Sequence, residues 1–133
     1  MAEAYPMKLF FFTLSIVYIA GIFLLAGSPL DRGLSEFNPY SLLHIPLYGI
    51  LTILLILSFV PMTQLPDNLM TRYLIVSIIA LVVAVADEIC QVYVPGRNAS
   101  ATDVLLDLIG IAFALFLVHR IFVRKASSKP DDS

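Results

Sequence analysis

The sequence predicts an all-α fold: an integral membrane four-helix up-down bundle with both termini in the cytoplasm. Three observations lead there. Of the 133 residues, 59% are hydrophobic and 14% charged, against about 45–50% apolar and about 25% charged in an ordinary soluble domain. A chain this short has too much surface for its volume to hide that apolar content from water. The apolar residues also fall into four runs, each near the ~20 residues that a bilayer-spanning helix requires. Finally, the connections at 27–39, 61–70 and 95–101 are short, which forces successive helices to run antiparallel.

The first run spans about 9–26, LFFFTLSIVYIAGIFLLA, after Pro6 and Lys8 and before Gly27, Ser28 and Pro29. It reads as a retained helix rather than a cleaved signal peptide. Its lead-in holds one lysine, and its apolar stretch exceeds the ~7–15 residues of a signal-peptide core. The second run spans about 40–60, with Pro39 or Tyr40 as its start, and stops at Pro61; Pro46 marks either its true start or a kink. The third, about 71–94, stops at Pro95, and the fourth, about 102–123, ends in Arg124 and Lys125. Proline and glycine punctuate the breaks, where a helix loses its hydrogen-bond partners at least cost. Residues 1–125 form one transmembrane domain and 126–133 a disordered polar tail. No internal repeat is visible.

Composition excludes several functions. Low charge with 11% aromatic residues excludes intrinsic disorder. A net charge of −2 and no basic stripe outside the tail argue against nucleic acid. Cys90 is the only cysteine, so there is no disulfide scaffold and no Cys/His zinc spacing. No cofactor signature is legible, and the sequence assigns no metal. The expected partners are membrane lipids, and the expected location is the cell membrane, as a multi-pass protein. The oligomeric state is not encoded legibly.

Orientation follows from the distribution of positive charge. Four helices place both termini on one side. Lys8, Arg72, Arg120, Arg124, Lys125 and Lys129 belong there, with Arg32 and Arg97 opposite. Six against two puts the termini in the cytoplasm and the 27–39 and 95–101 loops outside.

Ionisable groups within the hydrocarbon cost roughly 2.5–3.5 kcal/mol each at mid-helix, so each asks for a reason. His44 lies early in the second run, Asp87, Glu88 and Gln91 late in the third, Arg97 in the next loop, and Asp103 and Asp107 early in the fourth. Antiparallel threading brings all of these to one end of the bundle, on the outer-leaflet side. At 1.5 Å per residue, His44, Glu88 and Asp107 lie about 5–10 Å inside their helix ends. Glu88 and Gln91 share a helical face. Asp87 and Glu88, about 100° apart around the helix, are not expected to point at the same centre. Ser77, Ala80 and Ala84 on helix three, with Gly110 and Ala114 on helix four, form small-residue stripes, which predict that helices three and four pack tightly. His44, Tyr48 and Thr52 form the matching face of helix two. Pro95-Gly96 makes a turn. Ser100 with Asp103 resembles a capping box in which Asp replaces the usual Glu or Gln.

These residues carry a family resemblance. The run Glu88-x-x-Gln91, Val94-Pro95-Gly96-Arg97, Ser100-x-x-Asp103 and Gly110 resembles the core motif of the VanZ-like membrane proteins, and His44 with Tyr48 resembles that family's earlier His-containing segment. The resemblance covers about 40–117. Tyr40 and Ser41 stand where the family often has an Asp-Lys pair, Asp107 where it often has Asn, and Asp87 is an additional acid. The resemblance implies a cell-envelope membrane protein related to glycopeptide (teicoplanin) resistance; it implies no settled reaction.

The candidate ligand-binding set is therefore Glu88, Gln91, Arg97, Asp103, Asp107, His44 and Tyr48, and the catalytic candidates are Glu88, His44 and Asp107. Each has a plainer reading. Glu88 and Gln91 also fit an interhelical hydrogen bond. Arg97 offers a planar fork to phosphate or carboxylate, or meets lipid headgroups, or pairs with Asp103. Asp103 also fits a helix cap. His44 fits a general base, a metal ligand or a satisfied interfacial histidine. His119 reads as interfacial and Cys90 as a buried small hydrophobe. Three functions remain: a non-catalytic protein binding a lipid-linked cell-wall component, a glycopeptide or another amphiphile; a membrane enzyme doing acid/base chemistry on a lipid headgroup; and, least supported, a proton-coupled transporter. Enzymatic status is open.

Overall fold

The computed structural model describes residues 4–27, 39–61, 67–95 and 99–127. Four helices account for most of them: α1 (Ala4–Ala26), α2 (His44–Phe59) preceded by a 3₁₀ turn (Pro39–Leu43), α3 (Leu69–Val92) and α4 (Ala101–Ser127). No strand occurs among the described residues. All four helices, α2 taken together with the end of its 3₁₀ turn, are long and apolar enough to cross a membrane. The predicted runs are recovered with shifts at their ends. α1 begins earlier than expected, and α4 runs on to Ser127, into the expected tail. Residues 128–133 lie outside the described residues.

Pro46 sits in the first turn of α2. There its missing N–H costs nothing, because the first-turn N–H groups have no intrahelical acceptor. The 3₁₀ turn before it is how the chain enters the helix, so Pro46 marks a start. At the other end, the Val60 N–H closes onto the Ile56 carbonyl at 2.7 Å, Val60 turns extended, and Pro61 prevents continuation.

Side-chain bonds fix the helix directions. Ser15 meets Ser58 at 3.4 Å, and the Tyr18 hydroxyl donates to the Leu47 carbonyl at 3.1 Å, so α1 and α2 are antiparallel. The Arg72 guanidinium spans the turn from α2 to α3: Nε donates to Asn68 Oδ1 at 2.9 Å and a terminal nitrogen donates to the Phe59 carbonyl. The end of α3 meets the start of α4 through Glu88 and Ser100. The result is an up-down bundle, as expected.

α2 is the central helix and packs against the other three, whereas the backbones of α1 and α4 do not come close among the described residues. The core runs along α2 through Tyr48, Leu51, Leu55 and Ile56, joined by Ile22, Val76, Ala80, Ala84 and Ile111. The outside is equally apolar: Phe10, Val17 and Leu24 on α1, Ile78 and Val82 on α3, and Phe113 and Phe116 on α4 are exposed. Buried polar groups inside an apolar coat are the pattern a bilayer imposes. This is a multi-pass membrane protein.

α3 and α4 pack against each other, but the small residue expected to bring them together serves a different pair. The closest approach is between α2 and α4. A Cβ on Gly110 would overlap the Ile45 carbonyl oxygen and stand 3.1 Å from the Ile45 Cα, while one on Gly49 would meet the Gly110 carbonyl at 3.5 Å. Gly110 lets two backbones touch, and the backbone it touches belongs to α2. Cys90 is exposed rather than buried. It stands two positions from Glu88, about 200° around the helix from the inward face.

Candidate functional site

The start of α2, the end of α3 and the start of α4 meet at one end of the bundle, and the buried Asp, Glu and His residues among the described residues gather there. Asp107 is fully buried, Asp87 and Glu88 are 2% and 4% exposed, and His44 retains 9%. Tyr48, Thr52 and Gln91 complete the buried set.

His44 is the first residue of α2, and Asp107 lies in the second turn of α4. The close backbone approach at Gly110, one turn beyond Asp107, holds these segments together. The His44 Nδ1 and Asp107 Oδ1 are 2.9 Å apart, a buried ion-pair geometry. The carboxylate fixes the ring's orientation and leaves Nε2 as the nitrogen available for chemistry. Tyr48, one turn along α2, stacks nearly parallel to the imidazole, centroids 6.3 Å apart and planes at 10°.

Asp87 and Glu88 resolve the problem set by their spacing around α3. Asp87 turns toward α2 and accepts from the Tyr48 hydroxyl at 3.4 Å and from Gln91 Nε2 at 3.3 Å. Glu88 turns toward α4 and accepts the Ser100 N–H at 2.8 Å. Adjacent carboxylates thus serve two different neighbours. The expectation that they would not share a centre is nonetheless corrected. One oxygen from each, with a His44 ring nitrogen, forms a group whose atoms all lie within 4.8 Å of one another. A residue wedged between two helices can send both side chains into the space where those helices meet.

The capping box is also rearranged. In such a box the N3 side chain reaches back to the N-cap N–H. Here the N-cap is Ser100, its carbonyl accepting from Asp103 and Val104 at 3.1 and 3.3 Å, but its N–H goes to Glu88 of another helix. Glu88 therefore ties α3 to the start of α4, and half-buried Asp103 is free of the reach-back role. Three carboxylate oxygens are buried with no protein partner among the described residues: Asp87 Oδ1, Glu88 Oε1 and Asp107 Oδ2.

Of the residues expected to form the site, the structure gathers His44, Tyr48, Glu88, Gln91 and Asp107, with Asp103 at the edge. Arg97 and Gly96 lie outside the described residues. Asp87, placed at this end by the sequence but left out of the candidate ligand-binding set, lies at the centre. Its spacing from Gln91, four residues on one face, agrees with that place. His119, at the far end, makes an edge-on contact with Tyr73, centroids 6.1 Å apart.

The VanZ/LLP1 family model matches residues 9–123, nearly the whole helical region and every motif residue named above. The chain belongs to the VanZ/LLP1 family. Comparison with curated proteins and with solved structures gives no match. Asp107 supplies the partner of His44, and Asp87 joins His44 and Glu88 in one group.

Proposed function

We propose that this VanZ/LLP1 protein works in the cell envelope, taking the headgroup of a lipid-linked or amphiphilic ligand into its polar cluster on the outer-leaflet side. The VanZ likeness supports a relation to glycopeptide (teicoplanin) access. The observation that carries the reading is the set of three buried carboxylate oxygens without protein partners among the described residues. Each buried, unsatisfied polar group costs about 1–3 kcal/mol. A cluster serving only to glue helices would satisfy its own atoms, whereas one that receives a ligand keeps atoms in reserve. The charge count, six basic residues at the terminal side and two at the site side, supports the outer placement. The carboxylates suit ammonium, amide or hydroxyl groups of a headgroup, and Arg97 in the adjoining loop suits a phosphate.

The His44–Asp107 pair favours a second reading, catalysis. A carboxylate-oriented imidazole is the usual form of a general base, and Glu88 stands beside it as a proton donor or acceptor for a headgroup ester. Transport has less support, since the buried Asp, Glu and His residues among the described residues all lie at one end.

The test is a lipid-extract pull-down on wild-type protein and Glu88→Gln, read by mass spectrometry. A lipid class retained by wild type and lost in Glu88→Gln is expected. Equal retention by both would overturn the proposal. Release of a labelled headgroup by wild type, abolished in the same variant, would select catalysis over binding.

A further inference from the structure

We infer that His44, Asp87 and Glu88 form a binding site for a divalent transition-metal cation, with Asp107 orienting the imidazole from behind. One donor atom from each of the three residues lies within 4.8 Å of the other two, and all three residues are buried. Donors bound at about 2.0–2.2 Å to a common ion stand about 3.3–4.4 Å apart. The observed spread closes onto an ion by small side-chain adjustments, with no movement of helices. The unpartnered oxygens point the same way. Asp87 and Glu88 each commit one oxygen to the protein, Asp87 to Tyr48 and Gln91 and Glu88 to Ser100, and each holds its other oxygen buried and unbonded. A carboxylate that is anchored through one oxygen and idle at the other is set up as a ligand.

The surroundings of His44 add an independent sign. A metal-bound histidine characteristically gives its second ring nitrogen to a carboxylate, which fixes the tautomer and raises the ligand's basicity. His44 makes that bond to Asp107 through Nδ1, leaving Nε2 as the nitrogen that ligates. Charge supplies a third argument. Three carboxylates and one histidine converge where no Lys or Arg of the described residues pairs with them. Charges this deep need compensation, and a dication provides it. One nitrogen and two oxygen donors suit zinc or manganese, whereas calcium and magnesium favour all-oxygen sets. The inference rests on donor geometry and goes beyond the headgroup reading without depending on it.

The experiment uses the full chain in detergent without added lipid, so its failure and that of the headgroup proposal are distinguishable. The protein is stripped with a chelator, dialysed against Zn²⁺, and its bound metal counted by plasma mass spectrometry. The expected result is one zinc per chain in wild type and in Cys90→Ser, and none above blank in the Asp87→Asn/Glu88→Gln double variant. Asp107→Asn should weaken affinity by about 10–100-fold, as loss of a supporting carboxylate does. A second arm needs no variant: zinc should protect His44, but not His119, from modification by diethyl pyrocarbonate. Wild type that holds no zinc, zinc that persists in the double variant or is lost in Cys90→Ser, or unprotected His44 would each overturn the inference.

Discussion

At the residue scale, the most consequential contact is His44 with Asp107. Both are buried and 2.9 Å apart. Removing one partner of a buried pair leaves the other with its full desolvation cost, whereas a substitution that keeps an acceptor does not. Asp107→Ala should therefore lower stability by about 1–3 kcal/mol, read by thermal unfolding in detergent. Asp107→Asn, which still offers an oxygen to the ring N–H, should lose less. Equal loss in the two variants would show that the contact does not hold the ring. The sequence placed His44 and Asp107 in one neighbourhood through helix order and depth. It did not pair them, because a pairing needs the rotation of each helix about its own axis, and polar spacing constrains that only loosely. The same gap explains Asp87. Sequence shows that adjacent acids diverge around α3, but not that α2 and α4 meet where both are received.

At the element scale, α2 organises the molecule. Its inward face carries His44, Tyr48, Thr52 and Leu55, and the α2–α4 contact at Gly110 sets the register that brings His44 to Asp107. Any Cβ at Gly110 meets backbone, which cannot swing aside as a side chain would. Gly110→Ala should push α4 from α2 and cost about 1–3 kcal/mol, as overpacking typically does, while also weakening the His44–Asp107 pair. Gly49→Ala, in ordinary contact distance, and Gly21→Ala, in open space, should be tolerated. Thermal unfolding of the three variants checks this; a destabilised Gly21→Ala beside an unaffected Gly110→Ala would contradict it. The small-residue stripes were legible in the sequence, but the partner helix was not. A glycine announces that something comes close without saying what.

At the scale of the whole molecule, four helices, their order and the shared end of their polar residues were all legible, because a bilayer makes hydropathy nearly sufficient to locate spans. Helix ends were less so. α4 continues through Lys125 to Ser127, since nothing in the sequence breaks the helix where the apolar run stops. The orientation account predicts that a cysteine at Asn98, in a Cys90→Ser background, reacts with a membrane-impermeant maleimide in intact cells. A cysteine at Ser128 should react only after permeabilisation. The reverse pattern would place the cluster on the cytoplasmic side.

If the polar cluster is a site rather than glue, unfolding and lipid retention respond in opposite ways to Glu88→Gln. Gln keeps an oxygen for the Ser100 N–H while removing a buried charge, so a site under functional strain should be relieved by the change. The account predicts unfolding in detergent at the wild-type temperature or above, together with loss of the lipid that wild type retains. A lowered unfolding temperature with lipid retention unchanged would contradict it and make Glu88 a structural tie between α3 and α4.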